Sequence, residues 1–332
     1  MNIAFTICSN NYLAQAKVLI DSIIEHSTDI KLYIGLCDEK SDKVDYSVFN
    51  CEVIVAKEIG IENFDSLWKK YDIIELCTSI KASFFKYLMD KNPNADFIYY
   101  FDPDICTYQS LNVLNNEFED NTDILLTPHI ITPIPLDGKI PGENAFLNCG
   151  IYNLGFLGLR VLSPNSKKLL DWWEKRTLTM GFNKTQEGLF VDQIWINLVP
   201  LYFEKVKITK KMGYNVAPWN LHERHNITKI SDGNYIMPDN SKFVFYHFSS
   251  YKYKLPNLLS VYYNRYTFEN IPQLVELYET YHNKLIANNI SVLSHIKCVY
   301  MEKRDKSIKR ILYKAIKSFI CFILSILKIK KL

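Results

Sequence analysis

Asp102-Pro103-Asp104 follows directly on the apolar run Asp96 to Phe101, and it is the point where this chain most plainly offers chemistry. Two carboxylates two residues apart at the end of a buried strand can face the same side where the backbone leaves the sheet. There they can hold a hard divalent cation. Mn²⁺ or Mg²⁺ takes oxygen ligands and shares them with substrate phosphates, so such a pair could neutralise a departing diphosphate. Pro103 fixes the local φ and stiffens the presentation. The plainer alternative is an acidic turn that caps a strand; the apolar FIYY run ahead of it favours the metal.

That assignment needs a sheet whose strand ends carry the ligands. Asn2 to Ser9 reads as a buried first strand, ending at Ser9-Asn10-Asn11, residues suited to a turn and a helix cap. Leu13, Ala16, Leu19, Ile20, Ile23 and Ile24 then recur at helical spacing, and Lys31 to Cys37 and Glu52 to Ala56 return to strand-like runs. Strand, helix, strand in alternation favours parallel strands with helices on both faces, where ligands bind beyond the carboxyl ends. Further on, the patterns predict a helix over Ile73 to Met89, a strand over Asp123 to Thr127, a Pro-rich loop from Pro128 to Gly142, and an apolar run from Phe146 to Leu159. Helices are expected over Ser163 to Thr179 and Leu189 to Leu198, with a last core strand at Phe243 to Phe248. Tyr214 to Asn220 reads either as an active-site loop or as a packed one, and Trp172 and Trp173 as core.

With 332 residues and 48% hydrophobic content the chain can bury a full core, and 22 Tyr with 19 Phe suit aromatic-lined surfaces. The net charge of +3 hides an asymmetry: from Lys303 onward ten basic residues face one acidic, which leaves the rest of the chain acidic overall. No basic stripe runs through residues 1 to 300, so no nucleic-acid partner is expected. The eight cysteines show no Cys-x-x-Cys pair and read as ordinary packing residues of a reducing compartment. The N-terminal residues lack a basic n-region and a long apolar stretch, so the expectation is cytoplasmic.

The tail from Lys306 to Leu332 sets Ile311, Leu312, Ala315, Ile316, Phe319, Phe322 and Ile323 on helical spacing opposite Lys309, Arg310, Lys314 and Lys317. Its uncharged run, Ser318 to Leu327, is far below the ~20 residues needed to span a bilayer, so the expectation is a basic amphipathic helix lying on an anionic membrane surface. A helix docked on the body or on a second copy is the alternative.

Over roughly residues 1 to 250 the sequence resembles the GT-A glycosyltransferases, and among them the family-eight group of glycogenin and the lipopolysaccharide galactosyltransferases. The resemblance is carried by Asp102-Pro103-Asp104, by Ile7-Cys8-Ser9-Asn10-Asn11-Tyr12, where the family binds the nucleoside, and by Asp192-Gln193. It implies a nucleotide-diphospho-sugar transferase fold, Rossmann-like, with a mixed, mainly parallel sheet, and donor contacts from Ile7, Ser9, Asn11, Tyr12, Lys81 and Asp102. Ser9 stands where an Asp is common, and Lys81 where Arg is usual; Lys serves the charge but not the bidentate fork. The family's Asn-x-Gly element matches Asn148-Cys149-Gly150, with Asn148 and Gly150 at the donor. Asp192 and Gln193 would lie beside the reacting sugar, capping a helix being the other role open to Asp192. His247 would be the third metal ligand after Asp102 and Asp104. The family's Gly and Lys-Pro-Trp are missing after His247, which leaves Lys252 or Lys254 for the diphosphate and Arg265 as a further donor contact.

These readings give a GT-A α/β domain over 1–255, a helical extension over 256–302 and a membrane-binding tail over 303–332. The expected activity is metal-dependent, retaining transfer from a nucleotide diphosphate sugar, a UDP-sugar, to a glycan or lipid-linked acceptor in surface-polysaccharide synthesis. The expected place is the inner face of the cell membrane. A non-catalytic membrane-associated scaffold is one rival. A nucleotidyltransferase is another, but it would want a Gly-rich phosphate loop at the first strand, and residues 1 to 20 contain no Gly.

Overall fold

The structure, a computed structural model, describes residues 1–119, 121–230, 234–305 and 308–326. Expectations for Lys306, for Leu327 and for 328–332 lie outside the described residues, as do those for the side chains at 308–311 and 324–326.

Seven strands form the central sheet, and the apolar runs of the sequence supply them. In chain order the first seven strands of the chain are β1 (Asn2–Cys8), β2 (Ile30–Leu36), β3 (Glu52–Val55), β4 (Phe97–Phe101), β5 (Ile105–Thr107), β6 (Ile124–Pro128) and β7 (Tyr152–Arg160). Across the sheet the order is Val206–Ile208, β6, β7, β4, β1, β2, β3. β1 runs parallel to β2 and β4, β2 to β3, and Val206–Ile208 to β6. β7 is antiparallel to both β4 and β6, which leaves β6 pointing the same way as β4. The carboxyl ends of β1, β2, β4 and β6 therefore share one edge. The sheet is thus mixed and mainly parallel, as the sequence resemblance implies. β1 and β7 are buried nearly throughout, which is why they read as continuous apolar runs and not as alternations.

Helices cover both faces. On one face α1 (Leu13–His26) packs Leu13, Ala16 and Leu19 against Ala4, Tyr99 and Phe101. On the other lie α2 (Phe64–Lys70), α3 (Ile73–Ser79), α4 (Lys81–Lys91) and α6 (Pro164–Met180), where Phe84, Phe85 and Trp173 meet Phe5 and Tyr100. Two short helices, α5 (Glu143–Cys149) and α7 (Gln193–Ile196), flank the start of β7. The C-terminal helix Val275–Ala287 shares a hydrophobic cluster with the body, in which Tyr278 and Tyr281 pack with Ala14, Val18, Tyr246 and Phe248. Val299–Asp305 sits at the end of β2, where the Val299 amide donates to Asp38 Oδ1 at 3.0 Å. The helix Ile308–Ile326 follows, with Leu312, Tyr313, Ile316, Phe319 and Ile320 exposed. Among the described residues no helix is long and apolar enough to cross a membrane.

Four sequence expectations need correction. The helix expected over Ile73 to Met89 is two helices broken at Ile80, whose backbone leaves the helical region, and the break places Lys81 at the first position of α4. The run Phe146 to Leu159 is not one strand: α5 ends at Gly150, with φ of 118°, before β7 begins. Leu189 to Leu198 is only partly helical, because Gly188 and Val191, both at positive φ, turn the chain ahead of α7. Phe243 to Phe248 contributes the strand Phe245–His247, which lies outside the central sheet and pairs antiparallel with β5.

Candidate active site

β4 carries Asp102 to the shared edge of the sheet. The Asp102 amide donates to the Gly155 carbonyl of β7 at 2.8 Å, and its Oδ1 accepts from the Tyr100 hydroxyl at 2.6 Å. The turn then feeds β5, and the antiparallel register that sets His247 opposite Ile105 brings the imidazole to the neighbouring Asp104. His247 Nε2 is 3.0 Å from Asp104 Oδ1 and 3.8 Å from Asp102 Oδ2. One ligand atom from each of the three lies within 4.8 Å of the others. Burial would lower the His247 pKa, but the Asp104 and Asp102 carboxylates outweigh it and raise it. Burial likewise pushes Asp104 up, and the His247 charge outweighs it and holds the carboxyl below its usual range.

Two carboxylates and an imidazole make a donor set for Mn²⁺ or Mg²⁺, and Nε2 is the ring nitrogen turned to both carboxylates. His247 Nδ1 is buried without a partner, and the Trp219 ring stands edge-on to the imidazole with centroids 5.0 Å apart. The backbone of β7 approaches so closely that a Cβ on Gly155 would lie 2.5 Å from His247 Cε1. Gly155→Ala is therefore expected to push the ring out of register with Asp104, at an overpacking cost of about 1–3 kcal/mol. Calorimetry with Mn²⁺ should show clearly weakened binding, and unchanged affinity would mean that the ring position does not matter.

Lys81 does not lie on a solvated helix face. It is 3% exposed, with Nζ 3.0 Å from Asp192 Oδ2 and 3.4 Å from Asp102 Oδ1, and it donates to the Leu154 carbonyl at 2.9 Å. Burial opposes its charge, but Asp102 and Asp192 outweigh that and raise its pKa. Asp192 precedes α7 yet makes no capping hydrogen bond; its carboxylate turns inward to Lys81. Burial raises the Asp192 pKa, and the ammonium of Lys81 opposes it. The neighbouring Gln193 accepts from the Leu154 amide at 3.0 Å and donates to the Cys149 carbonyl at 2.8 Å.

The Asn-x-Gly match is corrected by five residues. Asn148 is exposed on the last turn of α5, whereas Gly150 packs so closely on Gln193 that a Cβ would meet its Cγ at 3.1 Å. It is Asn153-Leu154-Gly155, in the same FLNCGIYNLGF stretch, that faces the site. Asn153 Nδ2 contacts His129 Nε2 at 3.1 Å and Gln193 Oε1 at 3.4 Å, while its Oδ1 accepts from the Gly155 amide and from Asn215 Nδ2. Residues 153 and 155 share a strand face by the two-residue period, a signal available once the strand is started at Tyr152. His129 is a further residue that the sequence did not disclose; burial keeps its imidazole neutral, the pKa lowered to about 3. Tyr214 to Asn220 is a packed loop: Asn215, buried at a φ of 57°, braces Asn153, and Trp219 Nε1 donates to the His129 carbonyl at 3.1 Å.

At the end of β1, Ile7 is buried in the core and Ser9 Oγ donates to Asn11 Oδ1 at 2.6 Å. Asn11, Tyr12, Asp104 and Lys252 line one pocket of about 200 Å³. A larger pocket of about 570 Å³ opens between Asn11, Ile73 and the segment Ser294 to Met301. Arg265 stands apart: its guanidinium is buried against the 135–141 loop, bound to Asp137 Oδ2 at 2.7 Å. All eight cysteines are free thiols.

No protein-family model matches the chain. The uncharacterized protein YfnF of Bacillus subtilis (strain 168) is 26% identical over 249 residues, 74% of this chain and 80% of that protein. YfnD of the same organism is 24% identical over 253 residues, 74% and 76% of the two chains. Among solved structures, the galactosyltransferase LgtC in complex with donor and acceptor sugar analogs is 16% identical, covering 85% of this chain and 95% of that one at a TM-score of 0.48. The glycosyltransferase GlyE of Streptococcus pneumoniae TIGR4 is 14% identical, covering 87% and 64% at a TM-score of 0.44.

Proposed function

We propose that this chain is a metal-dependent glycosyltransferase that moves a sugar from a nucleotide diphosphate donor, a UDP-sugar, to a glycan or lipid-linked acceptor in surface-polysaccharide synthesis, with retention of configuration. The observation that carries the reading is the meeting of Asp102, Asp104 and His247 at the carboxyl edge of a mainly parallel sheet, with a buried lysine joining Asp102 to Asp192. Asp102, Asp104 and His247 would hold Mn²⁺ or Mg²⁺. When bound, the ion supplies positive charge where the diphosphate leaves. Lys81, paired with both, would hold the Asp102 and Asp192 carboxylates in place. Lys252, which lines a pocket with Asp104, would meet a phosphate, and Asn11 and Tyr12, lining the same pocket, the nucleoside. Asp192 and Gln193, with Asn153 and Gly150 packed around the amide, would position the reacting sugar and stabilise its oxocarbenium-like charge, with no covalent role assigned.

The test is incubation of the purified protein with Mn²⁺ and a panel of nucleotide sugars. One or a few should be hydrolysed, hydrolysis should stop with chelator, and it should return with Mn²⁺ or Mg²⁺. Undiminished hydrolysis in chelator would overturn the metal assignment.

On the same reading residues 1–255 are the catalytic domain, 256–302 an extension of it, and 303–332 a tail that holds the protein to the inner face of the cell membrane. Ending the chain at Asp305 should release it from anionic vesicles while donor hydrolysis stays nearly unchanged. The cut must not go further back, because Val299 is bonded to Asp38, and Cys298, Met301 and Glu302 line a pocket with Asn11. Rising salt should release the intact protein only in part, since it screens the lysines but not the apolar stripe. Co-sedimentation of the shortened chain at the level of the full one would sink the tail's role.

A further inference from the structure

We propose that the loops 134–141 and 252–262 form a second membrane contact, beside the tail, that holds the mouth of the site against an anionic bilayer. The inference rests on the membrane association proposed above and adds the face that meets the lipid. Leu136 is 100% exposed, Tyr262 70%, Ile140 52% and Leu258 47%. These side chains are not loose ends of a mobile turn. Arg265, 5% exposed, donates to Asp137 Oδ2 at 2.7 Å and to the carbonyls of Pro141 and Lys139 at 3.1 and 3.3 Å. Asn264 closes the brace: its amide donates to the Ile140 carbonyl at 3.2 Å and its Oδ1 accepts from the Ile140 amide at 2.7 Å. A buried arginine and the Asn264 side chain thus hold apolar tips out in water.

Charge and topology select the occupant. The carboxylate of Asp137 is taken by Arg265, while Lys139 and Lys254 are exposed among the apolar tips, a mixture that suits an anionic lipid surface. The first loop leaves the carboxyl end of β6 and the second follows His247, so both stand at the edge that carries the site. The helix Val299–Asp305, which leads into the cationic helix, is bonded at the carboxyl end of β2. Since β2, β4 and β6 all point the same way, the root of the tail and the two loops lie on one edge. A bilayer resting on that edge would present a membrane-borne acceptor directly to the mouth.

The experiment uses the full chain with vesicles of phosphatidylglycerol and phosphatidylcholine in equal parts. Leu136→Trp should gain emission that shifts to the blue on binding and is quenched by brominated lipid, beyond any change in the parent. The triple variant L136S/I140S/Y262S should keep its melting temperature, because these side chains are exposed, and lose vesicle affinity by about tenfold or more. A tail variant, I316D/F319D, separates the two readings. If it still shows quenching of Leu136→Trp, the loops meet lipid by themselves and the loop contact stands, whatever the tail adds to affinity. Vesicle binding by the parent with no quenching at position 136, or with equal affinity in the triple variant, overturns the proposal. So does a dimer in solution that the triple variant breaks, because a second copy would then be what covers this face.

Discussion

Asp104→Asn is expected to lower metal-dependent hydrolysis of the nucleotide sugar by about 10²- to 10³-fold while the protein stays folded. The amide keeps the shape of the carboxylate but removes its charge, and charge is what a hard divalent cation needs from an oxygen ligand. It also strips His247 of its closest partner, now 3.0 Å from Nε2. The imidazole pKa should then fall, since burial lowers it and Asp104 is the first of the groups that raise it. Stability should change modestly, because Asp104 stands about a quarter exposed at the rim and not in the core. Asp102→Asn should match the loss of activity with a larger loss of stability, since Asp102 also faces Lys81 at 3.4 Å and accepts from Tyr100. Calorimetry with Mn²⁺ separates binding from folding: Mn²⁺ affinity and turnover that both survive Asp104→Asn would remove Asp104 from the site.

Lys81→Met is expected to cost about 3–5 kcal/mol of stability at neutral pH as well as activity, because it leaves Asp192, 1% exposed, as a buried carboxylate without its cation. The pH dependence gives the mechanism away. Asp192 already has a pKa raised by burial, and Lys81 is the group that restrains it. Without Lys81 the folded-state pKa rises further above the unfolded value, so the folded variant binds the extra proton. Stability carried by a raised pKa is present at low pH and lost as pH climbs through the folded value. The gap between variant and parent should therefore narrow on acidification, as followed by denaturant unfolding at a series of pH values. Adding Asp192→Asn should restore much of the stability at neutral pH, since the fully buried charge is then gone and Asp102, partly exposed, keeps Tyr100 and His247, but not the activity. A Lys81→Met protein as stable as its parent at every pH would show that the pair is solvated and that its burial carries no cost.

Much of this architecture was legible in the chain itself. β1, β2 and β4 are short apolar runs between turn residues, and burial of both sheet faces needs nothing more than local sequence to be recognised. Asp102-Pro103-Asp104 was legible for the same reason: a run that must end inside a sheet delivers whatever follows it to the edge. The amphipathic spacing of the tail is likewise a property of consecutive residues. Features that depend on register were not legible. Lys81 sits in a segment whose periodicity predicts one helix, and only the break at Ile80 turns its ammonium inward to two carboxylates distant in sequence. FLNCGIYNLGF contains the Asn-x-Gly spacing twice, and which copy meets Gln193 and His247 depends on where β7 begins, which its pairing with β4 and β6 decides. His247 is an apolar-run histidine until the pairing of Phe245–His247 with β5 sets it beside Asp104. Composition and periodicity act over one turn or one strand, and they determined the sheet, its helices and the carboxylates at its edge. The site was completed by contacts between residues far apart in the chain, which cost loop-closure entropy and form only when the whole core is packed, so only the tertiary structure could decide them.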